Sequence, residues 1–494
     1  MGIDQGTTGT TVMILDQDWN FVAKGYREHT QYYPQPGWVE HDPVEIMDKI
    51  REAAEEALQK AGISDANEIA CIGLDNQGET VVLWDKVTGL PVYPAIVWQD
   101  RRTSEFADQL AAEYGDSIRE KTGLVIDAYF SATKIKWVMD HVPNVKEKIA
   151  EGRICAGTLD TWMIWNLTGG KAFVTEPSTA SRTMLYNIHT GNWDKDILNI
   201  LEIPEAILPV ISPTAHVYGQ THPLSFFGAS IPISGSVCDQ QAALFGQVCL
   251  EPGTIKTTYG TGCFLLLNVG DKPIYSTNGL LTTVGWQLEP GKTTFALDGG
   301  IYIAGAAIQW LRDKLQVIHN AAETENMAKS VEDTAGVFFV PAFAGLAAPH
   351  WDQYARGTIV GLTGATTKEH IVRAALESIA YQVKDNLDVM VADFGTDFQV
   401  IRADGGACAN DFLMQFQADI LGIPVEVPEN IETTALGAAY LAAYGIGALA
   451  SLDEVKANWK LKKRYEPQMD EQTRRKLLKK WHSAVERAKG WENN

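Results

Sequence analysis

Residues 1–16 read MGIDQGTTGTTVMILD, which predicts a short strand, a turn rich in glycine and threonine, and a second strand. A third strand is predicted at 21–28, so the chain opens as a β-meander. Helical periodicity follows at 45–61, and strand signals return at 70–74 and 80–84. The opening therefore predicts an α/β domain whose first turn carries small hydroxyl side chains.

A second succession of strands and then helices begins near residue 246. Short β-rich segments lie at 254–258, 263–268, 280–284 and 293–297. Helical patterns follow at 304–313, 370–391 and 411–421, and the region 104–199 between the two strand groups is mainly helical. Strands followed by helices, twice over, predict two α/β domains of similar layout. We place them at 1–247 and 248–494, with their glycine-rich turns facing each other across a cleft.

Length and charge limit the classes of function. A chain of 494 residues is too long for one hydrophobic core, which favours two large domains. A formal net charge of −21 argues against non-specific binding to nucleic acid or to anionic lipid, since both need a basic surface. We therefore predict no nucleic-acid partner, and an acidic protein that bound a polyanion would have to gather local positive charge or a metal ion.

Cysteine spacing and hydropathy point to the cytoplasm. The six cysteines form no CxxC pair and no zinc spacing, which predicts buried free thiols in a reducing compartment: Cys71, Cys155, Cys238, Cys249, Cys263 and Cys408. No signal peptide is recognisable. The uncharged run 435–452 is rich in Ala and Gly, which favours a tightly packed helix followed by a loop over a membrane span. The basic stretch 460–480 is interpreted as a solvated terminal helix.

Three turns rich in glycine are candidates for phosphate binding. They read DQGTTGT at 4–10, YGTG at 259–262 and DGGACAN at 404–410. Backbone N–H groups and hydroxyls in such turns can line phosphates, and an acid at a strand end can hold a hydrated metal. Each turn alone is equally compatible with an ordinary hairpin. Three of them together favour a nucleotide site.

Asp239 is the candidate catalytic base. It ends the segment SGSVCD (234–239), which is made of small and apolar residues, and stands just ahead of a predicted helix at 241–247. A single carboxylate in this position could accept a proton. The alternative is that Asp239 merely caps the helix, because aspartate is common at that position.

Longer stretches resemble a known family over essentially the full chain. They are YPQPGWVEHDP (33–43), AIVWQDRRT (95–103), TGLVIDAYFSATKIKW (122–137), DQQAALFGQ (239–247), YGTGCF (259–264), PAFAGLAAPHWDQYARG (341–357) and TALGAA (434–439). The chain resembles the FGGY carbohydrate kinases, and within them the glycerol kinases. Both signature patterns of that family are matched, at 129–141 and 357–377.

The resemblance implies a fold and an activity. It implies two ribonuclease-H-like domains of the actin-like ATPase superfamily, with ATP, Mg²⁺ and a polyol meeting in the cleft. The activity implied is ATP-dependent phosphorylation of a terminal hydroxyl of glycerol, by a cytoplasmic enzyme that forms a homo-dimer or homo-tetramer.

The resemblance also implies residue roles. Asp239 matches the catalytic base, and Asp4 matches the metal-associated acid, with Asp239 also near the metal. The positions on the nucleotide side are Thr7, Thr8, Gly9, Thr261, Gly305, Gln309, Gly406 and Asn410. Those on the polyol side are Gly78, Glu79, Trp98, Tyr129, Asp239, Gln240 and Phe264.

Gly78 departs from the family pattern at the polyol site. The family sequence Asn-Gln-Arg-Glu-Thr is here NQGET at 76–80, so the arginine that normally binds substrate hydroxyls is replaced by Gly78. A hydrogen bond to a charged group contributes about 1.5–3 kcal/mol, so an uncompensated loss would weaken glycerol binding roughly 10- to 150-fold. The vacated space could instead admit a longer polyol such as erythritol, threitol or xylitol. Glycerol is the predicted substrate and a longer polyol is the alternative.

Other departures concern phosphate binding, regulation and the first strand. Thr11 stands where the family hairpin has an arginine. The loop LSFFGAS (224–230) lacks the arginine of a fructose-bisphosphate site and has Ser225 in place of a phosphorylatable histidine, so we predict neither control mechanism. The sequence begins inside the predicted first strand, and we expect residues before it in the native protein. A catalytically silent regulator and an actin-like filament protein are further alternatives, and retention of Asp4, Asp239 and Thr261 disfavours the regulator.

Overall fold

Two mixed β-sheets form the framework of the molecule in a computed structural model that describes residues 1–493. The strands of the first sheet are, in spatial order, Ala215–Gln220, Pro232–Cys238, Ile72–Asn76, Gly2–Gln5, Gly9–Leu15 and Phe21–Glu28. Those of the second sheet are Leu281–Glu289, Lys292–Ile301, Cys263–Gly270, Ile255–Tyr259, Ile401–Asp404, Val425–Pro428 and Leu461–Tyr465.

The two sheets share one topology around their central strands. Gly2–Gln5 runs antiparallel to the next strand of the chain and parallel to Ile72–Asn76. Ile255–Tyr259 runs antiparallel to Cys263–Gly270 and parallel to Ile401–Asp404 in the same way. Because parallel strands end at the same edge of a sheet, the turns that follow these central strands collect at that edge. This repeated arrangement confirms the fold class predicted from the sequence.

A smaller sheet and three two-stranded ribbons accompany the two large sheets. A five-stranded sheet contains Glu40–His41, Ala95–Ile96, Val81–Asp85, Leu90–Pro91 and Ile154–Thr158. Three two-stranded ribbons pair Val174–Thr175 with Val210–Ile211, Tyr186–Asn187 with Asn192–Trp193, and Phe338–Val340 with Thr358–Val360.

The helices cover the sheets and fill the space between them. They are Pro43–Ala61, Ser104–Thr122, Ser131–His141, Val145–Ala150, Leu159–Leu167, Pro177–Ala180, Lys195–Ile200, Asp239–Gly246, Gly305–Asp313, Glu323–Lys329, Lys368–Phe394, Asp411–Leu421, Thr433–Gly445, Leu452–Asn458 and Glu471–Ala488. Short 3₁₀ turns occur at Ala66–Glu68, Glu205–Ile207, Gly406–Ala409 and Trp491–Asn493. Within residues 1–493, no helix combines the length and apolar character that a membrane crossing requires.

Helix Thr433–Gly445 ties the second half of the chain to the first sheet. A Cβ atom on Gly73 would lie 1.9 Å from the carbonyl oxygen of Ala438, and one on Gly2 would lie 2.1 Å from that of Ala435. The same helix packs on Asp239–Gly246, where a Cβ on Gly437 would lie 2.0 Å from the carbonyl oxygen of Ala242. Glycine therefore permits the close approach of helix to sheet. The strands divide near residue 247, while the domain limits 1–247 and 248–494 stay a prediction.

Most predicted elements are confirmed, and one is wrong. The cysteines of the described chain are free and buried, as expected. The uncharged run contains a packed helix that ends at Gly445 and is followed by a loop. The terminal helix predicted at 460–480 begins only at Glu471, because Leu461–Tyr465 is an edge strand paired with Val425–Pro428.

Candidate active site

A cavity of about 340 Å³ opens where the turns of the two sheets meet. Its walls come from both halves of the chain, since Thr7 follows the first strand of one sheet and Thr261 follows the first strand of the other. The cavity brings together eleven of the site residues predicted from the sequence: Thr7, Thr8, Gly78, Glu79, Trp98, Tyr129, Asp239, Gln240, Thr261, Phe264 and Gln309.

Asp239 lies at the junction of strand Pro232–Cys238 and helix Asp239–Gly246. The backbone N–H of Gln240 donates to its Oδ1 at 2.8 Å, and the side-chain amide of Gln240 donates to its Oδ2 at 3.0 Å. Cys238, not Asp239, occupies the N-cap position, so the alternative interpretation of Asp239 as the cap residue is wrong. The carboxylate is partly exposed and faces the cavity.

A buried cation fixes the amide that holds this carboxylate. The ammonium group of Lys256 donates to the side-chain oxygen of Gln240 at 2.6 Å and to the hydroxyl of Thr258 at 2.9 Å. Burial lowers the pKa of Lys256, and the carboxylates of Asp404 and Asp239 oppose that shift. Lys256 thus supplies local positive charge in an acidic protein, together with an orientation for Gln240 and, through it, Asp239.

Aromatic side chains form the apolar wall of the cavity. The ring of Trp98 meets that of Tyr129 edge to face at a centroid distance of 5.8 Å, and that of Phe264 at 6.3 Å. The indole N–H of Trp98 also donates to the hydroxyl of Thr7 at 2.9 Å. A hydrogen bond therefore joins the predicted polyol wall to the predicted phosphate turn.

Glu79 forms a charged wall with Arg182 and Asp298. The Nε of Arg182 donates to Oε1 of Glu79 at 2.6 Å, and its Nη2 lies 3.0 Å from Oδ2 of Asp298. Burial raises the pKa of Glu79 to about 7, although the positive charge of Arg182 opposes that shift. Glu79 also has a left-handed backbone (φ 59°), an uncommon conformation for a residue with a side chain. Such strain is found at sites where a side chain is held in a functional position.

Gly78 lines the cavity, and the direction of its missing side chain is blocked by a neighbour. A Cβ atom built on Gly78 would lie 2.8 Å from Sγ of Cys238 and 3.7 Å from Cγ of Arg182. The direction that a longer side chain would take from position 78 is therefore occupied by these two residues.

Two neighbouring carboxylates form a candidate cation site beside the first turn. Burial raises the pKa of Asp4 to about 7, and burial together with the charge of Asp4 raises that of Asp75. Both carboxylate oxygens of Asp75 are buried without a hydrogen-bond partner. Oxygen donors of this kind suit Mg²⁺, and a cation would neutralise charge that burial otherwise penalises. Asp4 and Asp75 therefore offer oxygen donors for the predicted metal, and within residues 1–493 no three potential metal-binding side chains cluster.

Five predicted site residues lie outside the cavity lining. Asp4 stands behind the first turn, and Gly9 begins the strand after it, where a Cβ would lie 2.6 Å from the carbonyl oxygen of Arg27. The backbone N–H of Gly305 donates to the carbonyl of Gly260 beside Thr261. Around Gly406 there is open space, whereas Asn410 caps helix Asp411–Leu421 by accepting from the N–H of Leu413 at 3.0 Å.

Sequence reasoning missed Arg182, Lys256 and Asp298. Each is a single charged residue within an otherwise uncharged stretch: Arg182 is the only one in 177–188, and Lys256 and Asp298 lie in buried strands. Charged side chains are seldom fully buried unless they are paired or functional. An isolated charge in an apolar or small-residue segment is the signal that could have identified all three.

Known proteins match this chain along its whole length. Residues 1–246 and 255–446 match the N-terminal and C-terminal domains of the FGGY family of carbohydrate kinases. Glycerol kinase 2 of Thermotoga maritima is 56% identical over 493 residues, which cover 100% of this chain and 99% of that protein. The glycerol kinase of Pseudothermotoga lettingae is 55% identical over 99% of this chain and 98% of its own.

Solved structures agree in fold. The crystal structure of Plasmodium falciparum glycerol kinase with ADP superimposes with a TM-score of 0.91 at 40% identity, covering 99% of this chain and 97% of the other. A ligand-bound xylulose kinase from Lactobacillus acidophilus has a TM-score of 0.85 at 23% identity, a likeness of fold alone.

Proposed function

Since this chain belongs to the FGGY family of carbohydrate kinases and is a phosphotransferase, we propose that it phosphorylates glycerol with Mg-ATP, giving glycerol 3-phosphate. Relatives about 55% identical along the whole chain carry the name glycerol kinase, which supports this substrate. The solved relative with ADP supports ATP as the phosphoryl donor.

Asp239 acts as the general base in this proposal. It accepts the proton of a terminal hydroxyl as that oxygen attacks the γ-phosphorus of ATP in line. The two hydrogen bonds from Gln240 leave the carboxylate little freedom to rotate, and the bond from Lys256 holds Gln240 in turn. A base held in this way loses little conformational freedom when the transition state forms.

The polyol lies between a polar wall and an aromatic wall. Glu79, Tyr129 and Gln240 provide groups that hydrogen-bond to hydroxyls, while Trp98 and Phe264 cover the carbon chain. Because Phe264 belongs to the second sheet and Trp98 to the first half of the chain, closing the cleft would bring these two rings of the aromatic wall together over the polyol and exclude water.

The phosphate groups lie against the two turns. The hydroxyls and backbone of Thr7 and Thr8 on one side, and of Thr261 on the other, face the same cavity. A bound Mg²⁺ near Asp4 would supply charge neutralisation to the transferred group. The remaining nucleotide positions in this proposal are Gly9, Gly305, Gln309, Gly406 and Asn410.

Position 78 bears on the size of the substrate. A longer polyol would extend toward the position that the missing arginine vacates, and Sγ of Cys238 blocks the start of that direction. This favours glycerol over the four- and five-carbon polyols. A cytoplasmic enzyme that forms dimers or tetramers stays a prediction from the sequence.

The single observation that carries the proposal is the convergence of Asp239, Glu79 and the aromatic wall in one cavity lined by both phosphate turns. Incubation with glycerol and Mg-ATP, followed by phosphorus NMR, tests it. We expect ADP and glycerol 3-phosphate in equal amounts, and no product when the metal is chelated. Release of inorganic phosphate that does not depend on glycerol would contradict the proposal.

A further inference from the structure

We infer that Arg182 is the arginine that binds the substrate in this chain, donating from Nη1 to a hydroxyl of the polyol in place of the side chain absent at Gly78. This inference rests on the proposed function and names a determinant of its specificity. Its parts are the position of Arg182, its one unpartnered nitrogen, and the rigidity of its guanidinium group.

Arg182 lies alongside Gly78 and lines the same cavity. Its Cγ and Cβ are 3.7 and 3.9 Å from the point where a Cβ of residue 78 would stand. Arg182 therefore forms part of the cavity wall next to position 78.

One nitrogen of Arg182 is left without a partner. Nε is bonded to Glu79 and Nη2 to Asp298, whereas Nη1 is buried and makes no hydrogen bond. The side chain is only 4% exposed, so bulk water does not satisfy that nitrogen in its place. An unsatisfied buried donor on a charged group carries a free-energy cost, and a ligand oxygen in the cavity would remove it.

A hydroxyl is the ligand group that suits this wall. Oδ1 of Asp298 is also buried without a partner, and Asp298 lines the same cavity. A hydroxyl can accept from Nη1 and donate to a carboxylate, whereas a carboxylate or phosphate could only accept. The two unsatisfied groups therefore favour a polyol over an acidic sugar.

The guanidinium group is held in place before the substrate binds. Glu79 and Asp298 hold it from the two halves of the chain, and its Cζ lies 5.7 Å from the ring centroid of Tyr129 and 5.6 Å from that of Phe130. A planar group fixed on two edges presents its third nitrogen in a defined direction. Little side-chain entropy remains to be lost when the polyol binds.

Comparison of Arg182→Lys with the wild type on three substrates tests the inference: glycerol, 1,2-propanediol and 1,3-propanediol. Lysine keeps the positive charge beside Glu79 but replaces all three guanidinium nitrogens, Nη1 among them, with one ammonium group. We expect kcat/KM for glycerol to fall roughly 10- to 150-fold, and kcat/KM for the diol that lacks the hydroxyl bound by Arg182 to change little. Equal losses on all three substrates would reduce Arg182 to a positioning role and overturn the inference.

Arg373→Lys is the matched control, since Arg373 pairs with the buried Glu377 and contacts backbone carbonyls outside the cavity. Its substrate ratios should equal those of the wild type, and altered ratios in this control would contradict the inference. A wild-type enzyme that is inactive on glycerol would instead refute the proposed function itself.

A crystal structure of the wild type with glycerol and ADP decides the matter even when the variant does not fold. We expect a glycerol hydroxyl oxygen within about 3.2 Å of Nη1 of Arg182. Glycerol bound with no oxygen near Nη1 would overturn the inference.

Discussion

At the scale of single residues, the proposed reaction depends most on Asp239, the general base. Asp239→Asn keeps the shape and one acceptor oxygen for the backbone N–H of Gln240, but removes the group that takes the proton. We expect kcat to fall by about 10²–10⁴. Calorimetric titration with ADP is the accompanying control, and its affinity should be unchanged. A variant that keeps wild-type kcat would show that another group acts as the base.

The close packing around Gly78 allows a prediction about a larger side chain at this position. In Gly78→Ala, the new methyl group would lie 2.8 Å from Sγ of Cys238, so the protein must shift. Overpacking of this kind costs about 1–3 kcal/mol, and we expect a lower Tm together with reduced activity. The double variant Gly78→Ala/Cys238→Ala relieves the contact and should recover Tm relative to Gly78→Ala. Failure of the second substitution to recover Tm would mean that the space beside Gly78 is open.

Gly78 and Arg182 show what the sequence can and cannot predict at the scale of single residues. The absence of the arginine at position 78 is visible in the motif NQGET, because the pattern is local. The role of Arg182 is not visible, because it depends on contacts with residues 103 and 116 positions away. Only the folded chain brings Glu79 and Asp298 to its guanidinium group.

At the scale of elements, close packing of the two helices between the sheets relies on glycine. In Gly437→Ala the methyl group would lie 2.0 Å from the carbonyl oxygen of Ala242, against backbone that cannot yield easily. We expect a clearly lower Tm, corresponding to about 1–3 kcal/mol.

Gly115→Ala is the matched control for that variant. Gly115 lies in helix Ser104–Thr122 with open space around its Cβ position. The same change there should leave Tm equal or raise it slightly, since alanine stabilises a helix by up to about 1 kcal/mol relative to glycine. Equal effects of the two substitutions would contradict the packing described for the central helices.

Glu176 gives an expectation about pH. It caps helix Pro177–Ala180 and is fully buried, and burial raises its pKa to about 7 from an ordinary value near 4.5. Between these values the folded state holds a proton that the unfolded state has lost, so the stability from this group is complete below about 4.5 and lost as pH rises through 7.

We therefore expect the free energy of unfolding of the wild type, relative to Glu176→Gln, to fall by about 3 kcal/mol as pH rises across that window. Chemical denaturation at several pH values measures this difference. A difference that is constant with pH would show that Glu176 titrates normally.

Elements were predictable where the signal is local. Helix Pro43–Ala61 shows its periodicity in the sequence, and the structure confirms the helix predicted at 45–61 with a start two residues earlier. Strand Leu461–Tyr465 was missed because its lysines and arginine resemble the solvated helix that follows, and its β structure comes from pairing with Val425–Pro428. Pairing between distant segments is not encoded in a local pattern.

At the scale of the whole molecule, the repeated sheet topology explains where the site lies. Each sheet ends its central strand in a glycine-rich turn, and the two turns face one cavity. Local patterns were sufficient to predict two similar α/β domains with glycine-rich turns facing each other, because strand ends and glycine turns are local features. Most of the predicted cavity lining came from the resemblance to the FGGY kinases. Of the charged wall, Glu79 was predicted, but its pairing with Arg182 and Asp298 was not, since that pairing needs both halves of the chain to meet.

The most direct test of this account is a coupled ADP-release assay with Mg-ATP that compares kcat/KM for glycerol, erythritol, D- and L-threitol, xylitol and D-xylulose. We expect glycerol to be clearly ahead, because Arg182 replaces the arginine missing at position 78 and Sγ of Cys238 blocks the direction that a side chain would take from that position. A four- or five-carbon substrate ahead of glycerol would contradict the account and make Gly78 the residue that admits it.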